Sequence, residues 1–349
     1  MAPAEKDSRQ LLTSLLRDVA RSFYLTMRVL PGAIRPQISL AYLLARTTDT
    51  IADTEIVPVA ERLQALDHLR ARILGQTTPP LDFVKFQSDG SLSPTRAAEA
   101  VLLSRAEDAL ALLTAFTPED QQLIREVLAT ITSGQALDLQ RFGGAEHSAG
   151  AGTPNLPALQ TDAELEDYTY RVAGCVGEFW TRLCRAHLFP RARLDAASLL
   201  ADGVRFGKGL QLVNVLRDLP ADLRRGRCYL PLAKLSAAGL APADLLDPAN
   251  EPRLRPLYRD YLALTEAHLA AGWAYTNRLP AGQVRVRLAC AWPVLIGLRT
   301  LDKLRAGRVL DPTQRIKVSR AEIRQILVRS LLAYPWPRAW RNLFGQTVN

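Results

Sequence analysis

Two pairs of aspartates carry the first chemical signal in this chain. Asp49 and Asp53 lie four positions apart in Leu40-Ala-Tyr-Leu-Leu-Ala-Arg-Thr-Thr-Asp-Thr-Ile-Ala-Asp53, and Asp218 and Asp222 repeat that spacing about 170 positions later. Residues three and four apart share one face of a helix, so each pair sets two carboxylates side by side. Arg46 stands one turn before Asp49, and Arg217 precedes Asp218 directly. The second pair ends a longer stripe, Gln211, Asn214, Asp218 and Asp222, with leucines and valines on the other sides of the helix. Four oxygen-bearing groups on one stripe do not help a helix bury itself; they need something polar to face. Arg224, Arg225 and Arg227 follow at once.

Those residue types at that spacing suit divalent metal and phosphate. Mg²⁺ takes one or two protein carboxylates and fills its other positions with water and phosphate oxygens. Guanidinium groups and an amide such as Asn214 would bind the oxygens left over. Two pairs facing each other across a helical bundle would hold Mg²⁺ around a diphosphate and draw electrons from it as it leaves. An apolar cavity below would keep water from a carbocation. The first pair alone is as well explained by solvated acids near a helix end, although a helix C-terminus disfavours acids unless a cation binds there. Two pairs and a polar stripe together are not explained that way.

The elements that must position these residues are helical. Leu11, Leu12, Leu15, Leu16, Val19, Phe23 and Met27 follow a helical period up to Pro31, and Pro36 opens the helix that ends near Asp53. Helices are expected over 60–74 and 95–115, then from a Thr117 N-cap to about Arg141. Residues 143–162, rich in Gly, Ala, Ser and Pro, read as a mobile loop, with His147 solvated in it. The helix expected over 163–187 holds Gly174 and Gly177, each costing about 1 kcal/mol against alanine. They imply close approach of another helix or of a ligand. Further helices are expected over 253–279 and 284–305, the latter kinked at Pro293. The last residues, 326–349, mix Leu, Trp and Arg, as an interfacial amphipathic segment or a final helix capping the core would.

The bulk properties agree. Of the 349 residues 48% are hydrophobic, few are aromatic, and β-branched residues rarely alternate, so an all-α chain without an evident domain boundary is expected. A net charge of +9 suits a phosphorylated substrate or a membrane surface. Nucleic acid is the weaker option, because no basic tail or aromatic–basic interleaving is present. Cys175, Cys184, Cys228 and Cys290 show no metal-ligand spacing and read as reduced packing thiols. No signal peptide is visible, and the longest apolar run falls well short of the ~20 residues a spanning helix needs. A cytoplasmic monomer touching membranes at most peripherally is the expectation.

The chain resembles the squalene/phytoene synthases, head-to-head prenyl synthases, and within them the squalene-forming type. The resemblance covers Ala20-Arg-Ser-Phe23, 46–53, 168–177, 209–222, Arg227-Cys-Tyr-Leu-Pro231 and, more loosely, Arg315-Ile-Lys317. It implies a single all-α isoprenoid synthase domain over 1–349 with a central active-site cavity. It further implies that Asp49, Asp53, Asp218 and Asp222 bind Mg²⁺ and two molecules of farnesyl diphosphate. Arg21, Ser22, Arg46, Asn214 and Arg227 would contact diphosphate, with Gln211 on the same stripe. Tyr168 would assist proton removal as presqualene diphosphate forms. NADPH would then supply hydride to give squalene, held by Arg21, Arg46, Arg217, Arg315 and Lys317. Enzymes stopping at phytoene, dehydrosqualene or presqualene diphosphate share these motifs. The chain departs from many relatives at Ala52 and Ala221, where an extra acid is common, and at Thr169, where cysteine is common.

Overall fold

The structure, a computed structural model, describes residues 14–20, 23–86, 94–144 and 156–345. Among them the chain is all-α, as expected, and divides into two compact units: Met1–Gly143 with Arg182–Pro190, and Gly144–Thr181 with Arg191–Asn349.

The first unit holds α1 (Leu16–Ala20), α2 (Phe23–Val29), α3 (Arg35–Ala52), α4 (Val59–Ile73), α5 (Pro94–Ser104), α6 (Ala106–Leu113) and α7 (Pro118–Phe142). Proline at the start of α3 gives up only an N–H that would be unpaired anyway. The helix packs on α4 and α7; its Leu40, Leu43, Leu44 and Ile51 are sealed from solvent, with Leu43 in a cluster formed with Leu15, Leu16, Val19, Met27 and Leu102. The 95–115 stretch is two helices, because the chain turns out of helical geometry at Arg105. Thr117 caps α7 by accepting from the Asp120 N–H at 3.2 Å. The buried Asp120 carboxylate accepts from Gln37 at 2.9 Å and pairs with His187 at 2.7 Å, tying α7 to α3.

The second unit holds α8 (Asp162–Thr169), a π-helical turn (Tyr170–Gly174), most of α9 (Cys175–His187), α10 (Ala196–Arg224), α11 (Leu232–Ala237), α12 (Glu251–Arg278), α13 (Val284–Ala306), α14 (Arg320–Ala333) and α15 (Pro337–Asn342). Here the paired glycines find their reason in packing. A Cβ on Gly177 would sit 1.8 Å from the Gly203 carbonyl oxygen, and one on Gly174 would sit 3.2 and 3.3 Å from the Lys208 and Val204 side chains of α10. The backbones of α9 and α10 therefore touch, and neither glycine needs a ligand to account for it.

α10 runs through Pro220, where a helix would ordinarily break. Proline has no N–H, so the carbonyl of Leu216 four residues back loses its helical donor. Tyr258 on α12, itself without solvent exposure, donates its hydroxyl to that carbonyl at 2.9 Å. The helix thus keeps its course past Asp218 to Asp222.

Residues 145–155, with His147, lie outside the described residues. The end of the same stretch is ordered against the unit: Leu156, Ala158 and Leu159 are buried, and Leu159 N–H donates to the Cys228 carbonyl at 3.1 Å. All four cysteines are free and buried, and burial pushes the Cys175 and Cys228 thiols up to about 12. At the other end, Trp340 is buried and stacks on Trp273 at 5.2 Å, and its indole N–H donates to Asn277 at 2.9 Å. That much of the tail caps the core. No helix among the described residues is long and apolar enough to cross a membrane.

Candidate active site

Each unit carries one of the aspartate pairs. In the first, Asp49 lies in the last turn of α3 and Asp53 caps it, the Asp53 N–H donating to the Asp49 carbonyl at 2.9 Å. Asp49 pairs with Arg46, one turn back, and Arg46 also binds Glu99 of α5 at 2.5 Å. Crowding that strips water from its charged form, and then the Asp53 charge one turn away, push the Asp49 carboxyl up to about 6 although Arg46 opposes them. Its side chain keeps 39% of its surface open, so the carboxylate that its surroundings penalise stays accessible to solvent.

Below this pair lies a residue with no signature in the sequence. Arg62 on α4 is fully buried and donates to the Ala52 carbonyl at 2.8 Å. It brings a cation to the negative end of α3, where the helix dipole and two aspartates accumulate like charge.

In the second unit the stripe on α10 is confirmed in register. Gln211, Asn214, Asp218 and Asp222 are partly open, whereas Leu212, Val213, Leu216, Leu219 and Leu223 are buried. Asn214 donates its side-chain amide to Gln211 Oε1 at 3.3 Å, and Gln211 donates its Nε2 amide to the Tyr168 hydroxyl oxygen at 3.1 Å. Tyr168 stacks on Tyr229, ring centres 4.7 Å apart. The contact with Gln211 fixes where the Tyr168 hydroxyl points. Arg217 grips Asp218 bidentately, donating Nε–H and Nη2–H at 2.9 and 2.5 Å.

The turn after α10 fixes the backbone of Arg227. Gly226 takes φ +78°, the left-handed conformation that glycine adopts without penalty. Its N–H donates to Leu223 and that of Arg227 to Asp222, at 3.1 and 2.9 Å, which is the Schellman arrangement. Arg227 is thereby tied by its backbone to the last aspartate.

Arg21 and Ser22 lie outside the described residues. Arg315 and Lys317 are exposed on either side of Ile316, which packs against Gly307. The structure thus brings Tyr168, Gln211 and Asn214 into one hydrogen-bonded chain beside Asp218, and Arg46 to Asp49. Glu99, Arg62, Tyr229 and Tyr258 support these groups from distant stretches of sequence.

Among the described residues no three acid, His or Cys side chains converge as a ready metal cluster. The donor set still fits Mg²⁺, which needs only one or two carboxylates from the protein when a diphosphate brings the rest.

The squalene/phytoene synthase family profile matches residues 16–322. The chain belongs to this family. It is 30% identical over 315 residues to a presqualene diphosphate synthase of Zymomonas mobilis, covering 88% of each chain. It is 27% identical over 335 residues to a bifunctional lycopene cyclase/phytoene synthase of Pyrenophora tritici-repentis, covering 94% of this chain and about half (49%) of that one. A ligand complex of TcSQS superimposes with a TM-score of 0.76 at 19% identity, over 98% of this chain and 90% of that one, which shows a common fold. Members of this family are prenyltransferases acting on prenyl diphosphates.

Proposed function

We propose that the protein condenses two molecules of farnesyl diphosphate head to head into presqualene diphosphate and reduces that product with NADPH to squalene. The observation that carries the reading is the stripe on α10: carboxylates and amides along one partly open face, with Tyr168 hydrogen-bonded to it, while Leu212, Val213, Leu216, Leu219 and Leu223 are buried.

In this reading each aspartate pair serves one diphosphate through Mg²⁺, which when bound supplies Lewis-acid charge to the departing group. Arg46 and Arg227 bind diphosphate oxygens that the metal leaves free. Ring closure to the cyclopropane loses one diphosphate and one proton, and Tyr168 Oη, held by Gln211, is placed to help remove that proton. NADPH, when bound, supplies hydride as the second diphosphate leaves. Arg217, Arg315 and Lys317 are the cations of this unit that suit its 2′-phosphate. We place this enzyme in the cytoplasm, as a monomer.

A second reading stops at presqualene diphosphate, favoured by the Zymomonas mobilis relative with 88% coverage. Product analysis after incubation with farnesyl diphosphate and Mg²⁺ separates the two. Squalene formed only when NADPH is added supports the full reaction. Presqualene diphosphate with or without NADPH supports the second reading, and phytoene from geranylgeranyl diphosphate would overturn both.

A further inference from the structure

α14 is half-buried along one side and bare on the other. Ser330 is sealed, and its hydroxyl accepts from the Trp292 indole at 2.9 Å, which fixes the inward side. At helical spacing on the outward side stand Val328 (49% exposed), Leu331 (51%) and Leu332 (70%), and Trp336 follows one turn later at 69%. Single exposed leucines need no explanation, but a run of large apolar groups on one face does. The docking of the tail does not use them, since Trp340 and Leu343 are the residues that reach the core.

The charges around this face choose between partners. Residues 320–345 contain five arginines (Arg320, Arg324, Arg329, Arg338 and Arg341) and one acid, Glu322, so the segment carries +5 − 1 = +4. All five arginines are exposed, whereas Glu322 is held by Ser319, Arg299 and Lys303. A second copy docking symmetrically would bring two such basic rims together, which like charge opposes. An anionic bilayer meets both requirements at once, taking the apolar stripe into its acyl boundary and the arginines among its headgroups. Tryptophan, part apolar and part polar, settles at that same level.

We propose that the outward face of α14, with Trp336, is a docking surface for an anionic lipid bilayer, on which the helix lies in the plane of the interface. The substrate-site reading is independent of this surface, and either can fail without the other.

The test uses the full chain and flotation with vesicles of phosphatidylcholine, with and without an equal part of phosphatidylglycerol. The expected result is binding to the anionic vesicles that weakens with added salt and falls at least about tenfold in Leu332→Glu and in Trp336→Glu. Both positions are exposed, so thermal melts should match the parent. Fluorescence quenching by brominated lipid should be largely lost in Trp336→Phe. Three outcomes would overturn the proposal: no flotation, equal binding to neutral vesicles, or binding unchanged by both substitutions. Sedimentation velocity covers the remaining occupant, since a dimer that these substitutions dissociate would make the face a contact between copies and sink the lipid assignment.

Discussion

At the residue scale the two aspartate pairs were legible because their spacing is local. A helix brings i and i+4 together whatever the rest of the chain does. Their supports were not legible, because Glu99 reaches Arg46 across 53 positions and Tyr258 reaches Leu216 across 42. No local period records such a partner. Asp49→Asn and Asp218→Asn should each lower condensation turnover at least about 100-fold, the scale on which one charge-stabilising group weighs in a reaction. Circular dichroism should show the fold kept; full activity in either variant would remove the metal assignment. Gln211→Leu tests the hydrogen-bonded chain to Tyr168. It should reduce kcat by about tenfold or more with little change in KM, since it acts on a proton-transfer step. A change in KM alone would instead make Gln211 a diphosphate contact.

At the element scale α10 is the instructive case. Pro220 argues for a helix that ends before Asp222, yet the helix continues to Arg224. The missing donor is replaced from α12, information that lies outside the local sequence. Tyr258→Phe should leave the Leu216 carbonyl buried without a partner, at a cost of about 1–3 kcal/mol in chemical denaturation. Pro220→Ala in the same background restores a backbone donor and should recover part of that loss. Additive effects of the two changes would contradict the account.

The glycines teach the reverse lesson. Their presence was readable, and their purpose required seeing Gly203 opposite Gly177. Gly177→Ala would press a methyl into backbone that has no side chain to move aside. Its cost should exceed the about 1–3 kcal/mol of ordinary overpacking, read as loss of soluble folded protein.

The start of α14 adds a pH-dependent term. The Ser319 N–H, first, and then the Ser319 hydroxyl, Lys303 and Arg299 hold the Glu322 carboxyl at about 2, against its usual 4.5. A depressed folded value stabilises the fold above the unfolded value and loses that contribution as pH falls toward the folded one. The melting difference between the parent and Glu322→Gln should therefore be full at neutral pH and shrink between about 4.5 and about 2. A difference that stays constant across that window would refute the assignment.

At the scale of the whole molecule, the all-α class followed from composition and period, and the family from motifs spread between Ala20 and Lys317. The tail could be read two ways from sequence, and the structure shows which of its residues reach the core. Trp340 and Leu343 belong to the core, while Leu331, Leu332 and Trp336 face outward. Period alone could not make that division, because the same residue types serve both sides. The 156–160 segment was hidden by its neighbours, since residues poor in regular pattern can still lie buried when a partner strand of chain such as 228–232 supplies their hydrogen bonds.

The central claim is that this chain joins two prenyl diphosphates head to head and then reduces the product. Diphosphate release counted against farnesyl diphosphate consumed tests it most directly. Without NADPH one diphosphate should leave for every two substrates. With NADPH two should leave, matched by one NADPH oxidised and one squalene formed. Release that ignores NADPH would contradict the reductive step, and consumption without a cyclopropyl diphosphate product would contradict the condensation itself.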